Sequence, residues 1–349
     1  MTTFKDAPDG VSDGPAELGT DFAAPFATDC AFMRDSTRTM MFQRPHATAR
    51  PHRATAGLAR RAAQVLALAT VLLLAACSSI KLGYNNADTL LVYSLDSYLD
   101  LDEAQEKLAR ERVRELMSWH RSTQLHAYAR FLDDTERKVG SGSVTADDVL
   151  AFQQAMNEKM MKVGEQAAPE LARLALTLQP AQVDHFADKL AKDSSKARRE
   201  FMKIAGTETL DDRVKAYAER TESWFGSLSK EQLELVRASL SSRPSGQQLW
   251  MEERERRQRD LVAVLRRIVN EKPAELIATQ WLREYFGQLA RPADEARRAR
   301  VQENRRNNAQ LIAQLINSAT PAQKATLTKK LRGYAQDFTT LAAANGARS

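Results

Sequence analysis

The sequence predicts an all-α protein of packed helical hairpins with long antiparallel helices, and three observations carry that expectation. Ala, Leu, Arg, Glu, Lys and Gln, the better helix formers, dominate the part of the 349-residue chain that follows residue 76. No Asn-Gly or Asp-Gly pair separates two alternating β-branched runs, so hairpin strands have no signal. Five prolines, Pro180, Pro244, Pro273, Pro292 and Pro321, fall where a helical pattern starts or restarts. Proline is tolerated there because the first amides of a helix have no intrahelical partner.

These signals place helices over 86–99, 103–138, 146–177, 181–205, 209–226, 230–241, 246–270, 274–288, 293–318 and 321–343. Asp102 opens the second, and Gly140-Ser141-Gly142-Ser143 is the clearest flexible turn. That turn divides the two longest helices, which implies an antiparallel hairpin. Pro180 opens the fourth helix and Gly206 stops it, while Gly226 stops the fifth. The Ser241–Gly246 stretch separates the sixth from the seventh, and Pro273, Pro292 and Pro321 open the last three. No stretch reads as an interdomain linker.

The beginning of the chain has a different character. Arg50, Arg53, Arg60 and Arg61 precede the apolar run Val65 to Ala76, which is too short to span a hydrocarbon core about 30 Å thick. The run closes on Leu74-Ala75-Ala76-Cys77. This layout resembles the lipobox of bacterial lipoproteins. The resemblance implies cleavage before Cys77, a diacylglycerol on its thiol and an acylated amino terminus, with fatty chains such as palmitate. Two or three chains would hold the protein stably, since each buried methylene contributes about 0.8 kcal/mol. Ser78 rather than Asp after the cysteine implies export to the outer membrane, with the domain on its periplasmic face. Residues 40–76 are then a signal peptide and 77–85 a lipidated tether of roughly 25 Å reach. Residues 86–349 form the helical domain, and 1–39 read as a disordered extension or a misassigned start. Cys30 lies in the part removed, so no internal disulfide is expected.

A short pattern recurs four times in the helical part: Leu101-Asp102-Glu103-Ala104-Gln105, Leu178-Gln179-Pro180-Ala181-Gln182, Leu228-Ser229-Lys230-Glu231-Gln232 and Ala319-Thr320-Pro321-Ala322-Gln323. Asp102, Ser229 and Thr320 can cap a helix while Gln105, Gln232 and Gln323 reach back, forming capping boxes; Gln182 holds the same position behind Gln179. In the last three copies apolar residues follow at matching positions: Phe186 and Leu190, Val236 and Leu240, Leu327 and Leu331. The pattern resembles the L-T-x-x-Q motif of the Spy and CpxP family, small helical periplasmic proteins that cradle unfolded or stress-signalling partners. Asp102 and Gln179 depart from it.

The helix 103–138 contains Trp119-His120-Arg121, Gln124 and Tyr128-Ala129-Arg130-Phe131-Leu132. This is similar to the W-H-R…Y-A-x-F-L signature of an uncharacterised family of proteobacterial lipoproteins, with Gln124 and His126 where Glu and Pro are expected. At about 100° per residue, Ala109, Val113, Leu116, Met117, His120, Gln124, Ala127 and Phe131 share one arc, with His120 near its centre. His120 and Gln124 read as a polar pair in a packing surface, flanked by Trp119 and Arg121 as candidate groove residues. A hydrogen-bonded core histidine and a ligand or catalytic role both fit His120.

Other chemistry is sparse. No H-E-x-x-H, G-x-S-x-G, Walker A loop or cysteine pair is present, so no cofactor or metal is expected. His120 and His126 lie on different helix faces, and Asp184, His185 and Asp188 read as a surface cluster rather than a metal site. Arginines at 254, 256, 257, 259, 266 and 267 and at 297, 298, 300, 305 and 306 have Glu neighbours and are expected to form ion-laced solvated faces. After residue 76 the chain has 43 Lys+Arg against 38 Asp+Glu, a mildly basic balance that is no nucleic-acid footprint. The expectation is a non-enzymatic binding domain: Spy-like holding of unfolded or envelope proteins first, a scaffold with one fixed partner second, a cell-wall or lipid hydrolase third. Oligomeric state has no signal.

Overall fold

The computed structural model describes residues 79–205, 209–242, 246–289 and 294–344. Cys77, the lipobox, the leader and the extension before it lie outside the described residues. Those described are almost wholly helical, with no strand among them. Ser79–Asn85 forms α1 and Ala87–Leu99 forms α2; α3 (Glu103–Trp119) continues through a π-helical turn (His120–Gln124) into α4 (Leu125–Gly140). Then come α5 (Ala146–Thr177), α6 (Pro180–Ala205), α7 (Leu210–Phe225) and α8 (Lys230–Ser241). The last four are α9 (Gly246–Glu271), α10 (Glu275–Leu289), α11 (Glu295–Asn317) and α12 (Pro321–Ala343). The segment expected as an extended tether is therefore helical from Ser79.

The spine is the hairpin of α3–α4 and α5, turned at residues 141–145, where Thr145 and Asp148 form a capping box at the start of α5. Asn317 closes the turn from outside, accepting from Val144 N–H at 2.8 Å and donating to its carbonyl at 2.8 Å. Small residues line the later part of α5: Gly164, Ala167, Ala168, Ala172 and Ala175. They let neighbours approach closely, and a Cβ on Gly164 would lie 2.9 Å from Phe286 Cγ on α10. Pro169 sits inside this helix without ending it. Proline in a helix interior costs about 3 kcal/mol, which packing at both ends of α5 offsets.

One apolar cluster gathers Ala109, Ala168 to Leu178, Val183, Phe186, Leu190, Val262 to Val269 and Leu282 around the C-terminal end of α5. Another gathers Leu132, Val149, Ile312, Ile316, Leu327 and Leu331 around its N-terminal end. Each end contains two of the four repeats, and the helices there correspond. α2 packs on α3 and α6, and α3 on α5; equivalently, α7 packs on α8 and α12, and α8 on α11. The two sets {α2, α3, α5, α6} and {α7, α8, α11, α12} are thus an internal duplication. The remaining helices cross between sets: α4 packs on α12, while α9 packs on α5 and α6 and α10 on α5.

Two glutamine knots fasten the duplicated sets. In all four repeats the glutamine oxygen accepts from its own N-cap amide: Asp102 N at 3.1 Å, and Gln179, Ser229 and Thr320 N at 2.9 Å each. The glutamines also exchange amide hydrogen bonds in pairs. Gln105 donates to Gln182 at 3.1 Å and receives at 2.7 Å; Gln232 donates to Gln323 at 3.0 Å and receives at 2.9 Å. Each amide reaches further, to the carbonyl two residues before its partner's N-cap: Thr177, Asp100, Ser318 and Ser227 respectively. Beneath them the positions four and eight residues on are buried in every copy, including Ala109 and Val113 in the first. Every repeat glutamine therefore serves both as a cap and as a cross-link between two helix starts.

Candidate functional site

The W-H-R segment falls where one extra residue is inserted into a turn of the helix, which is widened and underwound there. Leu125 N–H bonds to the His120 carbonyl five residues back, the π pattern, and such bulges occur frequently at functional sites. Side chains of the same segment bind the carbonyls of the preceding turn. Ser122 Oγ donates to the Ser118 carbonyl at 2.9 Å and Thr123 Oγ1 to the Trp119 carbonyl at 2.7 Å. Back-bonding of this kind loosens and bends a helix.

The extra residue changes the phase of everything after it. Before the turn the buried positions are Ala109 and Val113, on the expected arc; after it they are Leu125, Ala129 and Leu132, not Ala127 and Phe131. The arc drawn at constant 100° per residue fails here because one inserted residue turns the packing face by about 100°. The expected His120–Gln124 pair does not form. Gln124 is buried and donates to Thr123 Oγ1 at 3.0 Å.

His120 instead bridges two tyrosines from different helices. Its Nδ1 lies 2.8 Å from Tyr84 Oη on α1, and its Nε2 lies 3.2 Å from Tyr128 Oη on α4. The rings pack as well: His120 against Tyr128 at 5.4 Å and Trp119 against His120 at 6.3 Å, both edge-on, with Tyr128 continuing to Phe338 on α12 at 5.8 Å. Arg121 does not line an open groove but closes over the Tyr84 ring at 4.8 Å, donating to the Leu341 carbonyl at 3.1 Å and to Asn85 Oδ1 at 3.2 Å. Of the motif residues, Trp119, His120, Arg121 and Tyr128 come together while Gln124 turns aside. Tyr84, Asn85 and Phe338 complete the cluster. Only the Ile80/Tyr84 spacing of four on α1 could have signalled Tyr84; Asn85 and Phe338 carry no local signal.

Burial sets the electrostatics. It lowers the His120 pKa to about 4, with the Arg121 charge adding to the effect. Burial raises Tyr84 and Tyr128 to about 12 each, Arg121 partly opposing the shift at Tyr84. All three groups are neutral near pH 7, so one ring nitrogen donates to a tyrosine oxygen while the other accepts from the second hydroxyl. With its pKa depressed, the imidazole is only weakly basic and holds no proton beyond the one shared in this chain of hydrogen bonds near pH 7.

Asp184 accepts from Arg266 at 3.0 Å, and among the described residues no three His, Cys, Asp or Glu side chains gather as a metal site. The two arginine-rich stretches are not merely solvated faces. Arg256 and Arg297 both donate to Glu253, whose side chain is only 9% exposed, joining α9 to α11. Nearby, burial and the charge of Arg257 hold the Arg305 guanidinium below its ordinary value.

The sequence profile of DUF6279, a family of unknown function, matches residues 97–285, more than half of the chain. No curated protein and no solved structure matches the chain closely enough to mark a relative.

Proposed function

We propose, from the premise that this chain belongs to the DUF6279 family of unknown function, that it is a lipid-anchored envelope protein whose helical domain holds a partner without catalysing a reaction. Cys77 is the anchor in this reading, and the periplasmic face of the outer membrane its place. The observation that carries the non-catalytic part is the saturation of His120 by Tyr84 and Tyr128, which leaves the most enzyme-like motif of the sequence without a free base. Fatty-acid labelling tests the anchor: it should be lost in Cys77→Ala, and unchanged labelling of that variant removes the anchored reading.

Between two modes of binding, the surface favours one fixed partner over Spy-like holding of many unfolded clients. The repeat glutamines that support the Spy resemblance are consumed in internal knots. Exposed large apolar side chains among the described residues are Leu82, Tyr93, Met202, Leu276 and Ile277, of which only the last two are adjacent in sequence. Holding unfolded chains calls for a contiguous apolar patch of several hundred Å² or more. Crosslinking in living cells should return one dominant stoichiometric partner, and the purified domain should leave aggregation of a denatured client unchanged. Suppressed aggregation at near-stoichiometric protein, with many weakly crosslinked clients, would replace this reading with the Spy-like one.

A further inference from the structure

We propose that the W-H-R turn is the receptacle of a clasp that grips the first helix after the lipid anchor and seats this end of the domain on the bilayer; the seating rests on the lipid-anchored reading above. The grip takes one side of α1, from Ile80 round to Asn85. Ile80 and Tyr84, one turn apart, pack into the cluster of Leu125, Leu341 and Ala342 with Tyr128 and Phe338. Tyr84 reaches His120, Asn85 receives Arg121, and Lys81 pairs with Asp337 on α12 at 3.1 Å. Seven residues are far too few for a helix to persist alone in water, so α1 owes its form to this dock. A helix ending in open solvent would need none of these contacts.

The docked helix has a second face. Leu82 lies two residues from both Ile80 and Tyr84, about 200° round the helix, and is 67% exposed. Ser79 is two residues from Cys77, a span of about 7 Å even when extended. Acyl chains on Cys77 therefore hold Leu82 close to the headgroup region, where an apolar side chain opposite the dock finds an apolar partner. With the clasp closed, the tether is a rigid strut and the α1–α12 end faces lipid. With it open, residues 79–86 unwind into a leash of roughly 25–30 Å and the domain stands away from the surface.

The test uses the chain purified in its membrane form and reconstituted in vesicles of phosphatidylethanolamine and phosphatidylglycerol. Amides of 79–85 should exchange at least tenfold faster in Tyr84→Ala than in wild type while those of α5 do not change; Tyr84→Phe, which keeps the ring, should give a smaller acceleration. Equal rates at 79–85 in wild type and Tyr84→Ala overturn the clasp. Because the Cys77 thiol is acylated, an introduced cysteine can be labelled alone. A fluorophore at Leu82→Cys should be quenched by lipid-borne nitroxide at least threefold more than one at Leu276→Cys, and Tyr84→Ala should reduce that excess. Equal quenching at the two positions with Tyr84 intact overturns the seating. A Cys77 without acyl chains overturns the anchored reading and the seating together, while exchange at 79–85 in the soluble chain still decides the clasp.

Discussion

The glutamine knots and the His120 cluster solve the same problem with different chemistry. Both bury polar groups, and both satisfy them by bringing side chains together from helices far apart in sequence. The knots use neutral amides at helix starts, each donating and accepting in a fixed pattern that occurs twice. The cluster uses a titratable ring at an interrupted helix and occurs once among the described residues. Amides fasten the fold regardless of pH, whereas the imidazole fastens it only while neutral.

The largest effect should come from breaking the drier knot. Gln232 and Gln323 are both buried, so Gln232→Ala takes the cross-link from the Gln323 amide, leaving it only its Ser227 and Thr320 bonds, and strips the Ser229 N–H of its capping partner. Denaturant unfolding should show a loss of about 3 kcal/mol, the same at pH 7 and pH 5. A pH-dependent loss would erase the distinction between the two regions.

The His120 cluster should show the opposite behaviour. Its folded pKa of about 4 lies below the ordinary 6.5, so as pH falls through this window the unfolded chain takes up a proton that the folded chain does not. Stability from this site is complete above pH 6.5 and declines towards pH 4, by about 2 kcal/mol at pH 5. Relative to His120→Gln, which cannot titrate, wild type should lose that amount between pH 7 and pH 5. Parallel curves for the two proteins would contradict the buried neutral imidazole.

Two smaller changes sharpen the comparison within the knots. Gln182 is more exposed than its counterparts, and water can replace part of what it does, so Gln182→Ala should cost only about 1 kcal/mol. Gln179 is the one N-cap among the four repeats without a short capping side chain. Gln179→Thr should raise stability by about 0.5–1 kcal/mol, read as a higher melting temperature. No gain would mean that the Gln182 oxygen already supplies all the cap contributes.

Most helix boundaries were legible because the chain punctuates them. The helices at 146–177, 230–241 and 321–343 match their expected spans, each opening behind a Thr or Ser that caps it. The helix α1 was not legible, since seven residues have no periodicity to measure and their helicity comes from docking. The π-turn was hidden for a different reason. Apolar spacing is regular on both sides of it, and only the phase shift between Val113 and Leu125 betrays the inserted residue. The repeats displayed their caps openly, but which glutamine meets which depends on partners 77 and 91 residues apart. Local spacing has no means of recording that.

The exchange of helices between the duplicated sets has a kinetic consequence. Since α4 belongs to the first half of the chain yet packs on α12, contacts such as Arg332 with Glu136 join residues 196 positions apart. Neither half can complete its core during synthesis, because each waits for a helix from the other. Closing so long a loop adds entropy to the search and slows folding relative to bundles built from neighbours. Until the last helix emerges, the α4 face stays bare and in need of protection from aggregation.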